Sequence, residues 1–262
     1  CNVHPAGHSL AVDARGKLFT FALWEGAVGQ HGAADGVRYR HGQWLPDGAT
    51  LVSVSDASGE ERIEMFEAGK ARTLEWDIGR VLAMRAAPKG RRIAIANHRN
   101  EVLIGDLESG ALTVVDRSDA GRCDDLAWSP DGAWLAYAFW TSLRHCAIKL
   151  HQVGTQQATL VTQPEFRDYG PAFDPEGKYL YFLSLRTFDP VYDNVQFELS
   201  FPRAARPYLI ALQAGQRPPF DPEPKGLKAD NAALAKKADA ASPRPALAID
   251  RDGIAQRVAA FP

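Results

Sequence analysis

The chain has almost no net charge, no long apolar run and few cysteines, and each deficit removes a class of function. Its 262 residues carry a formal net charge of −2. The basic field that nucleic-acid binding depends on is therefore missing. Apolar residues never run far enough to build a membrane-spanning helix, which takes about 20 of them. Cys1, Cys123 and Cys146 are too few and too widely spaced for a disulfide framework or a structural zinc site. Cys146, in a strand-like stretch, reads as a small buried hydrophobe. No pair of histidines has the HExxH spacing, and His4 and His8, which flank a turn, read as solvated turn residues. A nucleophile elbow is also missing: Gly7-His8-Ser9-Leu10-Ala11 lacks the final glycine of GxSxG. No glycine-rich phosphate loop occurs. No catalytic, metal-binding or cofactor-binding residue is therefore assigned.

What is present is a repeat. VHPAGHSLAVDAR (3–15), WLPDGATLVSVSD (44–56), AAPKGRRIAIANH (86–98), AWSPDGAWLAYAF (127–139) and AFDPEGKYLYFLS (172–184) read alike. Their prolines, Pro5, Pro46, Pro88, Pro130 and Pro175, recur at intervals of 41, 42, 42 and 45 residues. A fixed period in this range marks a repeat architecture. In the fourth copy an apolar strand ends at Trp128. Ser129-Pro130-Asp131-Gly132 then turns the chain, with proline fixing one corner and glycine tolerating positive φ. Ala133 to Phe139 is apolar and too short for a helix. Outer hairpins follow, most plainly EVLIGDL (101–107) and ALTVVDR (111–117) around Ser109-Gly110. Four short antiparallel strands per period make one β-propeller blade. The expected fold is all-β, with five to six blades forming an incomplete ring.

The blades are expected over 1–212. Residues 213–245, rich in Ala, Lys and Pro, have too little apolar surface to offset ordering and read as a flexible excursion. Within it, NAALAKKADAA (231–241) has the composition of a frayed helix. ALAIDRDGIAQRVAAF (246–261) reads as the start of a further blade. The lack of an initiator methionine, the absence of room for an inner strand before residue 4 and the strand-like end at 262 read as a segment of a longer protein.

One feature bears on function. The segments leading into successive inner strands carry charge: Asp77 with Arg80, Arg122 with Asp124, then Arg167, Asp168 and Tyr169. Inner strands line a propeller's axial channel, so these residues should ring one mouth of it. Arg80, Arg122, Asp124, Arg167, Asp168 and Tyr169 are the candidate channel and peptide contacts, able to hold peptide termini by charge-assisted bonds. Asp124-Asp125 is not expected to share a proton, because neighbouring strand residues face opposite sides. Trp76-Asp77 matches the WD dipeptide but occurs once.

LSLRTFDPVYDNVQFELSFPRAARPYLIAL (183–212) interrupts the second and third strands of the fifth repeat with an aromatic, Asp-rich insert. Together with AYAFWTSLRHCAIKLHQVGT (136–155) and IDRDGIAQRV (249–258), it resembles the propeller region of tricorn-type serine proteases of bacteria and archaea. The resemblance spans nearly the whole chain and points to the second, seven-bladed propeller of that family. It implies a non-catalytic segment that gates or guides peptides to a serine peptidase domain outside the chain. The implied partners are peptides in transit, the PDZ and catalytic domains of the same polypeptide and further copies of it. The implied compartment is the cytoplasm, with the periplasm as the other setting. The Pro-Asp-Gly turn alone is also compatible with a TolB-like interaction propeller or the lid propeller of a prolyl-oligopeptidase-type hydrolase.

Overall fold

The computed structural model describes residues 1–155, 157–221 and 246–262. Its strands form five four-stranded antiparallel sheets and one separate hairpin. Blade one holds β1 (Asn2–Val3), β2 (Ser9–Ala14), β3 (Lys17–Ala22) and β4 (Gly29–His31). Blade two holds β5 (Tyr39–Trp44), β6 (Thr50–Ser55), β7 (Arg62–Glu67) and β8 (Lys70–Leu74). Blade three holds β9 (Val81–Ala86), β10 (Arg92–Asn97), β11 (Glu101–Asp106) and β12 (Leu112–Arg117). Blade four holds β13 (Asp124–Trp128), β14 (Trp134–Trp140), β15 (Cys146–Gln152) and β16 (Ala158–Leu160). Blade five begins with β17 (Asp168–Phe173) and β18 (Tyr179–Ser184). Next comes a hairpin of β19 (Val191–Tyr192) and β20 (Leu199–Ser200), then β21 (Arg206–Ala211) and β22 (Val258–Ala260).

Two expectations about the end of the chain need correction. Residues 246–262 do not begin a further blade: Val258, Ala259 and Ala260 pair with Ile210, Leu209 and Tyr208, so β22 is the outer strand of blade five. The free edge of β21 offers the nearest unpaired backbone, and antiparallel pairing there satisfies both strands. The described part of the excursion, 213–221, is also held. The Tyr179 hydroxyl donates to the Arg217 carbonyl at 2.5 Å, and Phe220 packs on Phe261 at 5.3 Å. Residues 222–245, including the 231–241 segment, lie outside the described residues.

The unbroken apolar runs reflect burial on both faces. In β10, Ile93 and Ile95 enter a core shared with blade two, while Ala94 and Ala96 enter one shared with blade four. In β14, Leu135 and Tyr137 face blade three, and Trp134, Ala136 and Ala138 face blade five. Alternating side chains thus supply both neighbouring interfaces. Side chains also tie consecutive inner strands together. Asn2 Oδ1 accepts from Trp44 N–H at 2.8 Å. Gln43 donates to Met84 O at 2.5 Å and accepts from Ala86 N–H at 2.6 Å. Trp128 Nε1 donates to Arg85 O at 2.9 Å, and Asp125 accepts from Gly170 N–H at 2.9 Å. Extensive strand packing runs only between consecutive blades. The described residues therefore form an arc of five blades.

The repeated turn explains its residues. Gly7, Gly48, Gly90, Gly132 and Gly177 all have φ between 66° and 74°, a region costly for side chains. Asp47 accepts from Ala49 N–H and Thr50 N–H, each at 2.9 Å. Asp131 accepts from Ala133 N–H at 3.0 Å and Leu247 N–H at 2.7 Å. Burial tends to raise both carboxyl pKa values. The hydrogen bonds outweigh it, with Arg91 assisting at Asp47, and hold both below the usual value. A depressed folded pKa contributes stability that is present above the unfolded value, about 3.9 for Asp, and lost as pH falls through the folded one. The Asp47→Asn, Asp131→Asn double variant is expected to melt about 2–4 °C below the parent at pH 7, the shift that roughly 1 kcal/mol makes in a domain of this size. That gap should close on acidification below about pH 4. Melting curves across pH check this, and a gap unchanged at acid pH refutes it.

Candidate functional site

In an antiparallel blade, the start of the inner strand, the link from the second to the third strand and the end of the outer strand share one end of the fold. The segments before β9, β13 and β17 therefore lie at the same end as the links 56–61, 98–100 and 141–145 and the insert 185–205. Leu185 N–H donates to Arg167 O at 3.1 Å, joining the insert directly to one of these segments. The repeated Pro-Gly turns occupy the other end.

Four of the six candidate residues meet at the seam of blades four and five. Arg122 and Arg167 are exposed, and Asp124 and Tyr169 are partly buried. The Arg167 guanidinium carbon lies 5.3 Å from the Trp140 ring centroid and 5.9 Å from that of Tyr169. Burial, and then the Asp125 charge, push the Asp124 carboxyl above the usual range, while Arg122 and Arg167 oppose that rise. The result is a site with two cations, aromatic faces and a carboxyl that binds its proton more tightly than usual. It suits a carboxylate on the arginines and a planar or apolar group on the rings.

Asp168 behaves differently. It is fully buried, and both of its oxygens accept from Arg186 Nη2, at 2.9 and 2.8 Å. Ser184 Oγ adds a bond at 2.5 Å. Its carboxylate is thus committed inside blade five. Arg80 stands apart, at the seam of blades two and three. It lines a cleft of about 480 Å³ with Asp77, His98, Arg99, Glu60 and Arg62. Arg99 pairs with Asp77 through two bonds of 2.9 and 2.7 Å. Trp76 is buried in the core between blades two and three and donates to Gly110 O, in the turn between β11 and β12, at 2.8 Å, which gives the lone WD dipeptide a packing role.

Sequence reasoning missed three features. Arg186, at the root of the insert, is the partner of Asp168. Trp140 forms the platform under Arg167. Third, the inner strands carry a recurring bulge. His41, Asp125 and Gly170 each stand five positions before a turn proline, with φ of 57°, 55° and 61°. Equal distance from the turn was the only signal of it. At Asp125 the bulge swings the carboxylate onto Gly170 in the next blade.

His4 and His8 do approach, with ring centroids 4.0 Å apart, but His4 is buried and bonded to Gly48 O at 2.7 Å. It is not a solvated turn residue as expected, because blade two covers it. Among the described residues no cluster of His, Cys, Asp or Glu has metal-site geometry, and no helix is long and apolar enough to cross a membrane.

The family model of the tricorn protease second beta propeller domain matches residues 1–262. Tricorn protease homolog 1 of Streptomyces coelicolor is 37% identical over 265 residues, covering 96% of this chain and 24% of the relative. The tricorn protease homolog of Saccharolobus solfataricus is 32% identical, covering 79% of this chain and 19% of its own length. The chain thus spans less than a third of the length of the curated relatives it matches. The crystal structure of the tricorn protease superposes with a TM-score of 0.79 at 24% identity, covering 97% of this chain and 24% of that one. A TolB-type propeller from Agrobacterium tumefaciens superposes less well, with a TM-score of 0.55 at 19% identity over 80% of this chain and 76% of its own.

Proposed function

The chain belongs to the family of the tricorn protease second propeller domain, and on that premise we propose that it is a non-catalytic access module. Its blades gate or guide peptides moving to and from a serine peptidase domain elsewhere in the polypeptide, with a PDZ domain and further copies of the chain as partners. A cytoplasmic setting fits the three unpaired thiols.

The observation that carries the reading is the placement of Arg122, Asp124, Arg167 and Tyr169 at one end of the inner strands, beside an insert with eight exposed large hydrophobic side chains. Phe188, Val195 and Phe197 are 78%, 84% and 74% exposed. A rigid ring admits extended chains and excludes folded ones without bond chemistry of its own. Arginines at its mouth add attraction for carboxylates and raise the rate of encounter. In the full-length protein, the Arg80→Ala, Arg122→Ala, Arg167→Ala triple variant is expected to change kcat/KM for peptides of about ten residues severalfold. A blocked dipeptide amide should be cleaved at an unchanged rate. Rates measured over a ladder of peptide lengths test this. A uniform change at every length, or none at any length, refutes the gating role.

A further inference from the structure

Between the first and second blades lies a cleft of about 690 Å³. It arises from unequal outer strands: β4 has three residues and β8 has five, so the outer part of blade two is left uncovered. Its lining includes His31, Tyr39, Trp44, Phe66, Thr73 and Glu64. The His31 and Phe66 ring centroids are 5.6 Å apart, and those of Tyr39 and Phe66 are 6.0 Å apart.

Glu64 is the unusual member. On β7 it alternates with Ile63 and Met65, which pack toward blade three, and so shares a face with Phe66. It is only 8% exposed. No Lys, Arg or His forms an ion pair with it among the described residues, and the group beside it is the Tyr39 hydroxyl, which donates to the carboxylate. It is also the only Asp, Glu, Lys or Arg in the lining of the cleft. Burial lowers the pKa of His31, whose Nε2 lies 2.7 Å from Thr20 Oγ1, so the imidazole is neutral at neutral pH. A buried carboxylate without a cation is costly. Aromatic faces also attract a cation, most strongly where water is excluded.

We propose that this cleft binds the ammonium group of a peptide, supplied by its α-amino terminus or by a lysine side chain. Glu64 pairs with the ammonium, and Phe66, Tyr39 and Trp44 enclose it. The assignment rests on the cleft alone and stands apart from the gating reading, since its readout is binding and not proteolysis.

The test is calorimetric titration of the full-length protein with n-butylammonium, alanine amide, Nα-acetyl-alanine amide and Nα-acetyl-lysine amide. Saturable binding of n-butylammonium is expected, with none of the acetylated alanine. Whichever of alanine amide and acetyl-lysine amide binds more tightly identifies the source of the amine. Glu64→Gln should weaken binding roughly tenfold or more, the loss of a charge-assisted bond. Should that variant unfold, Ala71→Lys serves instead. Ala71 is exposed and pairs directly with Phe66 across β7 and β8. A lysine there tethers an ammonium at the cleft and should abolish binding of the free probes. Acetylated alanine amide binding as tightly as an ammonium probe, full affinity in either variant, or no saturable binding of any ammonium probe overturns the proposal.

Discussion

Replacing Asp168 with alanine is expected to cost about 3–5 kcal/mol of folding stability, the usual penalty for removing one partner of a buried ion pair. Arg186 remains behind, with 17% of its side chain exposed. It is enclosed by three rings, at 4.8 Å from Phe166, 5.3 Å from Phe182 and 4.8 Å from Tyr208. These faces attract the cation, but they cannot replace two charge-assisted bonds. Ser184, which donates to Asp168 and accepts from Arg186 Nε at 2.8 Å, loses its acceptor as well. The double variant Asp168→Ala, Arg186→Met should recover much of the loss, because it buries no unpaired charge. Urea unfolding of the two single variants and the double gives the coupling directly. An Asp168→Ala variant within about 1 kcal/mol of the parent overturns this account. The pair also positions the insert: Asp168 opens β17 and Arg186 is the second residue past β18, so its loss should free residues 185–205 as well as weaken blade five.

The second large effect is expected at Asp116, which joins blades three and four. It stands on β12 and accepts from the Tyr137 hydroxyl and from Lys149 Nζ, each at 2.7 Å, both across the seam. Tyr137 is fully buried, and the Lys149 side chain is 16% exposed, its Nζ 3.4 Å above the Phe139 ring. Burial, and then Asp116, push the Tyr137 phenol pKa far up, so it remains a donor at every accessible pH. Burial likewise pushes the neighbouring Cys123 thiol up to about 12, which leaves it inert. Asp116→Ala strands a cation and a hydroxyl together and should cost about 3 kcal/mol. Tyr137→Phe removes one donor and should cost about 1 kcal/mol. Adding Lys149→Met to Asp116→Ala should restore part of the loss. Hydrogen exchange should quicken first in β12, β14 and β15. Uniform quickening across all five blades contradicts the assignment of Asp116 to this seam.

Much of the architecture was legible because it depends on local rules that repeat. Each turn needs a residue tolerant of positive φ, so glycine recurs at Gly7, Gly48, Gly90, Gly132 and Gly177. Each central strand is covered on both faces, so β10 and β14 read as unbroken apolar runs. The insert announced itself as an aromatic, Asp-rich stretch interrupting the second and third strands of the fifth repeat, now β18 and β21. These features follow from neighbours in sequence, and the sequence determined them by itself. The tertiary structure decided the rest. Whether 258–260 opens a new blade or closes the fifth depends on which strand edge lies free, and that edge belongs to β21, about 50 residues earlier. Arg167, Asp168 and Tyr169 look equivalent as charged or polar neighbours, yet strand alternation sends Asp168 alone into the blade, where Arg186 awaits it. The bulge at Asp125 resets that alternation with a backbone angle no residue type announces. The carboxylate of Glu64 carries no mark in sequence either. Its place among aromatic rings, without a cation in the cleft lining, comes from the packing of blades one and two and from the short outer strand β4 of blade one.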